Sequence, residues 1–229
     1  MAKVDRSHRD VDPASAGRQD GVTFLVKDHD YFRALFSEYR GLLSRPTLSP
    51  NRDVLVQKLG IVRDIVRDVS GHASAEERYL YPLIMTHLQD RSTDEKQCLY
   101  DRNVTDDTLN KHLLQFLENH LDTFGNVERC ADACQMLALL DRTVEKFIWI
   151  EEEHLKEEEE FVLDPLSRVM SADERHDLWR DLIWALRHGP THPHPEGPSS
   201  PIPSLVIHPL VGVLDKLLDR MKASARESA

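Results

Sequence analysis

The chain has 229 residues, of which 40% are hydrophobic and 30% charged, with only 9 glycines, a composition that suits one helical domain with appendages. Its formal net charge of −11 argues against nucleic acid or an anionic membrane as the main partner. No apolar run approaches the ~20 residues needed to span a bilayer, and the N-terminus lacks the apolar core of a signal peptide, so a cytoplasmic protein with three reduced cysteines is expected.

Residues 1–19 mix charge with small residues, show no period and are expected to be disordered. Asp20 is a helix N-cap, and the helix after it, about 21–43, carries Val22, His29, Phe36 and Leu43 at steps of seven, with Leu25 and Phe32 beside them. A buried stripe therefore contains one histidine. Ser49-Pro50 is a cap and first-turn pair for a second helix to about Gln89, which Pro82 should bend. On it His72 and Glu76 stand four residues apart, which places their Cβ atoms about 5–6 Å apart on one face. Ile65 and Tyr79 share the heptad of His72, and Val62, Val69 and Leu83 share that of Glu76.

Ser92-Thr-Asp-Glu95 has capping-box spacing and predicts a short piece over 93–101, with a third helix from about Thr105 to Asn126. A fourth helix is expected from about Ala133 to Leu163, weakened at Asp164-Pro165. It repeats the earlier pair as His154 and Glu158, on a seam with Leu140, Phe147 and Phe161, while Glu151–Glu153, Glu157, Glu159 and Glu160 read as a solvated face. Ser171-Ala-Asp-Glu174 opens a further helix, about 171–188. Six prolines in the fifteen residues 189–203 make an extended spacer across 189–204, in which His192 and His194 read as linker rather than ligands. Residues 205–229 form an amphipathic terminal segment.

The organisation is thus all-α, with a bundle over 20–170. Two His-x-x-x-Glu pairs on the apolar seams of two helices is how bundles hold dinuclear metal sites. On the third helix Tyr100, Asp107, Leu114 and Leu121 are seven apart, which offers Asp107 to the same interior. His120 shares an adjacent stripe with Leu113 and Phe116, and His112 lies on the flank, so both remain alternatives. Imidazole and carboxylate without thiolate suit iron, manganese or zinc.

His29 after Lys27-Asp28, His72 with Glu-Glu and Leu-Tyr-Pro82, and His154 with its glutamates resemble the hemerythrin-like family of HHE cation-binding domains over about residues 20–170. The Pro-Thr-His-Pro-His-Pro tail is similar to that of actinobacterial members. The resemblance implies an antiparallel up-down-up-down four-helix bundle with an extra C-terminal helix. It also implies a non-haem di-iron centre, with Glu76 and Glu158 bridging and His29, His72 and His154 terminal. The family's third helix carries a histidine six residues before a Leu-Leu pair; here Asp107 precedes Leu113-Leu114 at that spacing. A carboxylate in place of imidazole favours ferric iron and disfavours reversible O₂ carriage. The resemblance therefore points to iron handling or to O₂, NO or peroxide redox response. An oxidase or peroxidase-like enzyme, and a helical interaction protein with a degenerate site, are the competing readings.

Overall fold

The computed structural model describes residues 4–12, 17–43, 52–126, 133–195 and Asp215. Among the described residues the α-helices run in order α1 (Gly21–Leu43), α2 (Arg52–Tyr79), α3 (Tyr81–His87), α4 (Thr93–Gly125), α5 (Ala133–Glu158), α6 (Asp164–Val169) and α7 (Ala172–His188). The long helices α1, α2, α4 and α5 close a four-membered antiparallel ring, each packed on the next and α5 back on α1. The architecture is the all-α bundle with an extra helix. The extra helix, α7, lies across α1 and α2. It buries Leu178, Trp179, Leu182 and Ile183, while charged residues occupy its other face. At the contact with α1, a Cβ on Gly21 would stand 2.7 Å from Leu178 Cγ and 2.7 Å from the backbone nitrogen of Trp179.

The interior divides into two apolar clusters. One holds Phe32, Phe36, Val69, Leu114, Phe147 and Leu155, and the other holds Val22, Leu25, Leu80, Tyr81, Val162 and Leu182. Helices α1, α2 and α4 pass from one cluster to the other, as the chain does on leaving α5, and the candidate ligands sit at or next to the crossing. His29 lies between Leu25 and Phe32, and His72 with Glu76 between Val69 and Leu80. His154 and Glu158 lie at the step from Leu155 to Val162. The polar site is therefore a layer sealed by hydrocarbon above and below.

Three boundaries differ from the sequence expectations. Helix α4 is continuous from Thr93, where Ser92 and Glu95 form the capping box, and does not break before Thr105. Thr105 Oγ1 donates to the Asp101 carbonyl at 2.7 Å and Thr108 Oγ1 to that of Val104 at 2.8 Å. These hydroxyls bond back within the helix instead of starting one. Pro82 does more than bend α2: the helix ends at Tyr79, Leu80 forms a turn, and Pro82 occupies the first turn of α3. After α5 the chain continues through a π turn at Glu159–Leu163 into α6, with Pro165 in its first turn. The missing proline N–H falls where the hydrogen-bond ladder has already widened, so the chain stays helical past Leu163.

The stretch expected to be disordered contains a 3₁₀ turn, Ser7–Arg9, whose Arg9 is buried. Its guanidinium meets the buried Asp28 and Asp68, a pairing that periodicity does not reveal. At the other end, most of 196–229 lies outside the described residues. His192 Nδ1 contacts Glu118, and His194 Nε2 lies 3.1 Å from Asp215 Oδ2. Cys98 and Cys134 are free thiols, and Cys130 lies outside the described residues. No helix among the described residues is long and apolar enough to cross a membrane.

Candidate metal centre

The four ring helices bring His29, His72, Glu76, Asp107, His154 and Glu158 together, all of them buried. Ligand atoms of His29, His72, Glu76 and Glu158 fall within 4.8 Å of one another, and so do those of Glu76, Asp107 and His154. Glu76 belongs to both groups. His72 Nε2 lies 2.9 Å from Glu76 Oε1, and His29 Nε2 lies 3.3 Å from Glu158 Oε2 and 3.7 Å from Glu76 Oε1. On the other side His154 Nε2 lies 3.4 Å from Asp107 Oδ1. Tyr81 donates its hydroxyl to Asp107 Oδ2 at 2.9 Å and sits 3.5 Å from Glu76 Oε2.

Behind the ligands the order is equally specific. Each imidazole turns Nε2 inward and Nδ1 toward a carboxylate: His29 to Glu159 at 2.8 Å, His72 to Asp28 at 2.9 Å, and His154 to Asp106 at 3.9 Å. This is the arrangement that fixes the tautomer and aim of metal-binding histidines. An arginine stands behind each carboxylate. Arg33 meets Glu159 at 2.9 Å, Arg9 grips Asp28, and Arg102 approaches Asp106 at 4.0 Å.

The residues fit a cation. His29 Nε2, His72 Nε2, His154 Nε2, Glu76 Oε1 and both Glu158 carboxylate oxygens are buried and make no hydrogen bond. Leaving such atoms unmet typically costs about 1–3 kcal/mol each, more when charged. Protons take the place of the cation when none is bound. Burial disfavours a charged ring at His72, but Glu76 and Asp28 outweigh it and lift the pKa to about 9. Burial likewise opposes charge on His154, and Asp106, Asp107, Glu158 and Glu151 raise it to about 10. His29 is raised well above its ordinary value against the same penalty, by Glu158, Glu159 and Glu76. Of the carboxylates, burial pushes Asp107 and Glu158 up, while Glu76 is held down against burial by His72 and His29.

Asp107 faces the site from α4, and neither alternative histidine does. His112 is exposed, and His120 stacks on Phe116 with Nδ1 2.8 Å from the Phe116 carbonyl. Among the described residues His192 and His194 join no ligand group. Sequence reasoning missed several functional neighbours. Glu151, read as solvated, is buried and accepts from Asn110 Nδ2 at 2.5 Å; its place seven residues before Glu158 was the available signal. Glu159, also read as solvated, closes on His29, and Lys111 forms a buried ion pair with Glu77 at 2.6 Å. A small cleft opens beside His154, lined by Arg102, Asn103, Asp106, Glu157 and Phe161. Its volume of about 10 Å³ is room for about one water-sized molecule.

Fold and site together define a helical bundle whose buried histidines and carboxylates could hold metal cations. Residues 20–123 match the family described as Hemerythrin HHE cation binding domain. That match takes in His29, His72, Glu76 and Asp107 and ends before α5, which supplies His154 and Glu158. No curated protein and no solved structure matches the chain.

Proposed function

We propose that the protein holds two non-haem iron ions and acts in iron handling or in the redox response to O₂, NO or peroxide in the cytoplasm. One ion would be held by His29, His72, Glu76 and Glu158, and the other by Glu76, Asp107 and His154. The observation that carries this reading is that Glu76 is common to both ligand groups. Bound there, iron supplies one-electron redox chemistry and open positions for a small ligand. The chain's own residues orient the imidazoles through Asp28, Glu159 and Asp106, and exclude bulk water with the two apolar clusters. Asp107 adds negative charge where the family has a histidine, which favours the ferric state over reversible O₂ carriage. The same oxygen-rich donor set also suits manganese, and zinc to a lesser degree.

The cleft beside His154 is narrow, which suits a diatomic or peroxide ligand better than an organic substrate. This weighs against an oxidase acting on a bulky molecule. Elemental analysis and an optical spectrum of protein from iron-replete cells test the proposal. Two irons per chain with near-ultraviolet charge-transfer absorption are expected. Absence of any stoichiometric metal would sink it and leave an interaction protein with a degenerate site.

A further inference from the structure

The three arginines behind the histidine-facing carboxylates are not equivalent. The side chains of Arg33 and Arg102 are 34% and 56% exposed, whereas that of Arg9 is 6% exposed and comes from outside the bundle. Arg9 Nε donates to Asp28 Oδ1 at 2.5 Å, and its Nη2 also reaches Asp28 Oδ2. His8 Nε2 lies 2.7 Å from the same carboxylate. Asp28 is fully buried, and its Oδ2 faces His72 Nδ1 at 2.9 Å. Nη1 of Arg9 also reaches Asp68 Oδ1 at 3.3 Å, and the guanidinium lies over the rings of Tyr31 and Phe32 at 5.3 Å and 5.1 Å. The segment is anchored on both sides of the polar layer. Val4 packs on one apolar cluster and Val11 on the other, and Arg187 donates to the Val11 carbonyl at 3.0 Å.

We propose that this N-terminal segment is a working part of the metal centre. Arg9 is a positioning residue that, through Asp28, sets the ring of His72 and with it the affinity for the ion at His29, His72 and Glu158. The inference rests on the metal reading above. The physical reason is that Asp28 serves both partners. Its two oxygens are clamped by the planar fork of Arg9, so the remaining direction, toward His72, is fixed. Losing the clamp frees the carboxylate to turn and lets the imidazole turn with it. Partners of this kind behind a metal ligand typically contribute 10–100-fold in affinity. Coupling is reciprocal, so an ion that holds His72 also holds the segment in place.

Anaerobic titration of the full-length metal-free protein with ferrous iron tests this, with wild type, Arg9→Ala, Arg9→Lys and Arg18→Ala compared. Arg18 is an exposed residue of the same region, paired with Asp173. Wild type and Arg18→Ala should take up two ions. Arg9→Ala should bind one of them 10–100-fold more weakly, and Arg9→Lys should recover part of the loss. Two ions bound by Arg9→Ala as tightly as by wild type would overturn the inference and leave the di-iron reading standing. Wild type binding no stoichiometric iron would overturn both. Should Arg9→Ala fail to fold, trypsin decides on wild type alone. Iron should slow cleavage after Arg9, read by mass spectrometry, and an unchanged rate would overturn the inference.

Discussion

Glu151 and Glu158 lie one heptad apart on the inner face of α5, and both are buried, yet only Glu151 receives a hydrogen bond, from Asn110. Glu158 is left with two bare oxygens next to His29, as a ligand would be. Glu151 is instead tied to α4, one turn from Asp107. Burial, with Glu76 adding to it, raises the pKa of Glu151 against the pull of His154 and His72. A carboxyl raised in the folded state stabilises the fold below its ordinary pKa, and that contribution is lost as pH rises through the folded value. Glu151→Gln, which can still accept from Asn110, should therefore stabilise the metal-free protein above the ordinary carboxyl range, by about 1 kcal/mol, or ~2–4 °C in melting temperature. The gain should shrink toward acid pH. Equal melting of variant and wild type at neutral pH would show that Glu151 is held at no cost.

Asp107→Asn keeps an acceptor for Tyr81 and removes the charge. It should weaken the ion at Glu76, Asp107 and His154 tenfold or more, and leave the other ion nearly unchanged. Calorimetric titration of the metal-free protein would resolve the two steps. Equal weakening of both would mean that the two groups act as a single site.

Chelation should lower the melting temperature. An ion bound only to the folded state contributes about 2.7 kcal/mol at a hundred times its dissociation constant, or roughly 5–10 °C for a chain of this size. His154→Ala should remove only the part of that difference owed to the ion at Glu76, Asp107 and His154, leaving the part owed to the ion at His29, His72, Glu76 and Glu158. If loaded and chelated wild type melt together, the apolar clusters alone hold the bundle.

Away from the metal, Asp68 gives an acid signature. Burial raises its pKa, but Arg67, Arg9 and Tyr31 outweigh it, so the folded value lies below the ordinary 3.8. Such a group stabilises the fold above its unfolded pKa, and the contribution is lost as pH falls through the folded value. Asp68→Asn should therefore melt lower than wild type at neutral pH and converge with it as pH falls below the ordinary carboxylate range, followed by circular dichroism. A constant gap across that range would assign the loss to packing instead.

Much of the bundle was legible because its residues repeat. Heptad steps through His29, His72, Glu76, Asp107, His154 and Glu158 found a common interior, and the capping boxes at Ser92 and Ser171 marked two helix starts that the structure shares. Asp107 was favoured over His120 because Leu114 and Leu121 continue its stripe, but the periodicity left His120 and His112 open, and Leu121 is only partly buried. What stayed hidden has no period. Arg9 reaches the site from a 3₁₀ turn 19 residues before Asp28, a contact made through tertiary structure alone. Glu151 was masked by the acidic run around it, in which composition outweighed position. The unbroken course of α4 depended on where two threonine hydroxyls turn, which spacing does not show.

The π turn at Glu159–Leu163 lets two consecutive residues work on one ring: Glu158 approaches His29 at Nε2 and Glu159 at Nδ1. On a regular helix neighbours point about 100° apart. A π turn is one residue inserted into a helix, and such insertions gather at functional sites. Deleting one residue between Glu160 and Val162 would restore an ordinary ladder, in which Glu158 and Glu159 point about 100° apart and can no longer both reach the ring of His29. The chain can therefore exchange single side chains in this segment far more readily than it can lose a residue from it, which makes segment length, rather than composition, the feature to compare when other chains are aligned to this one.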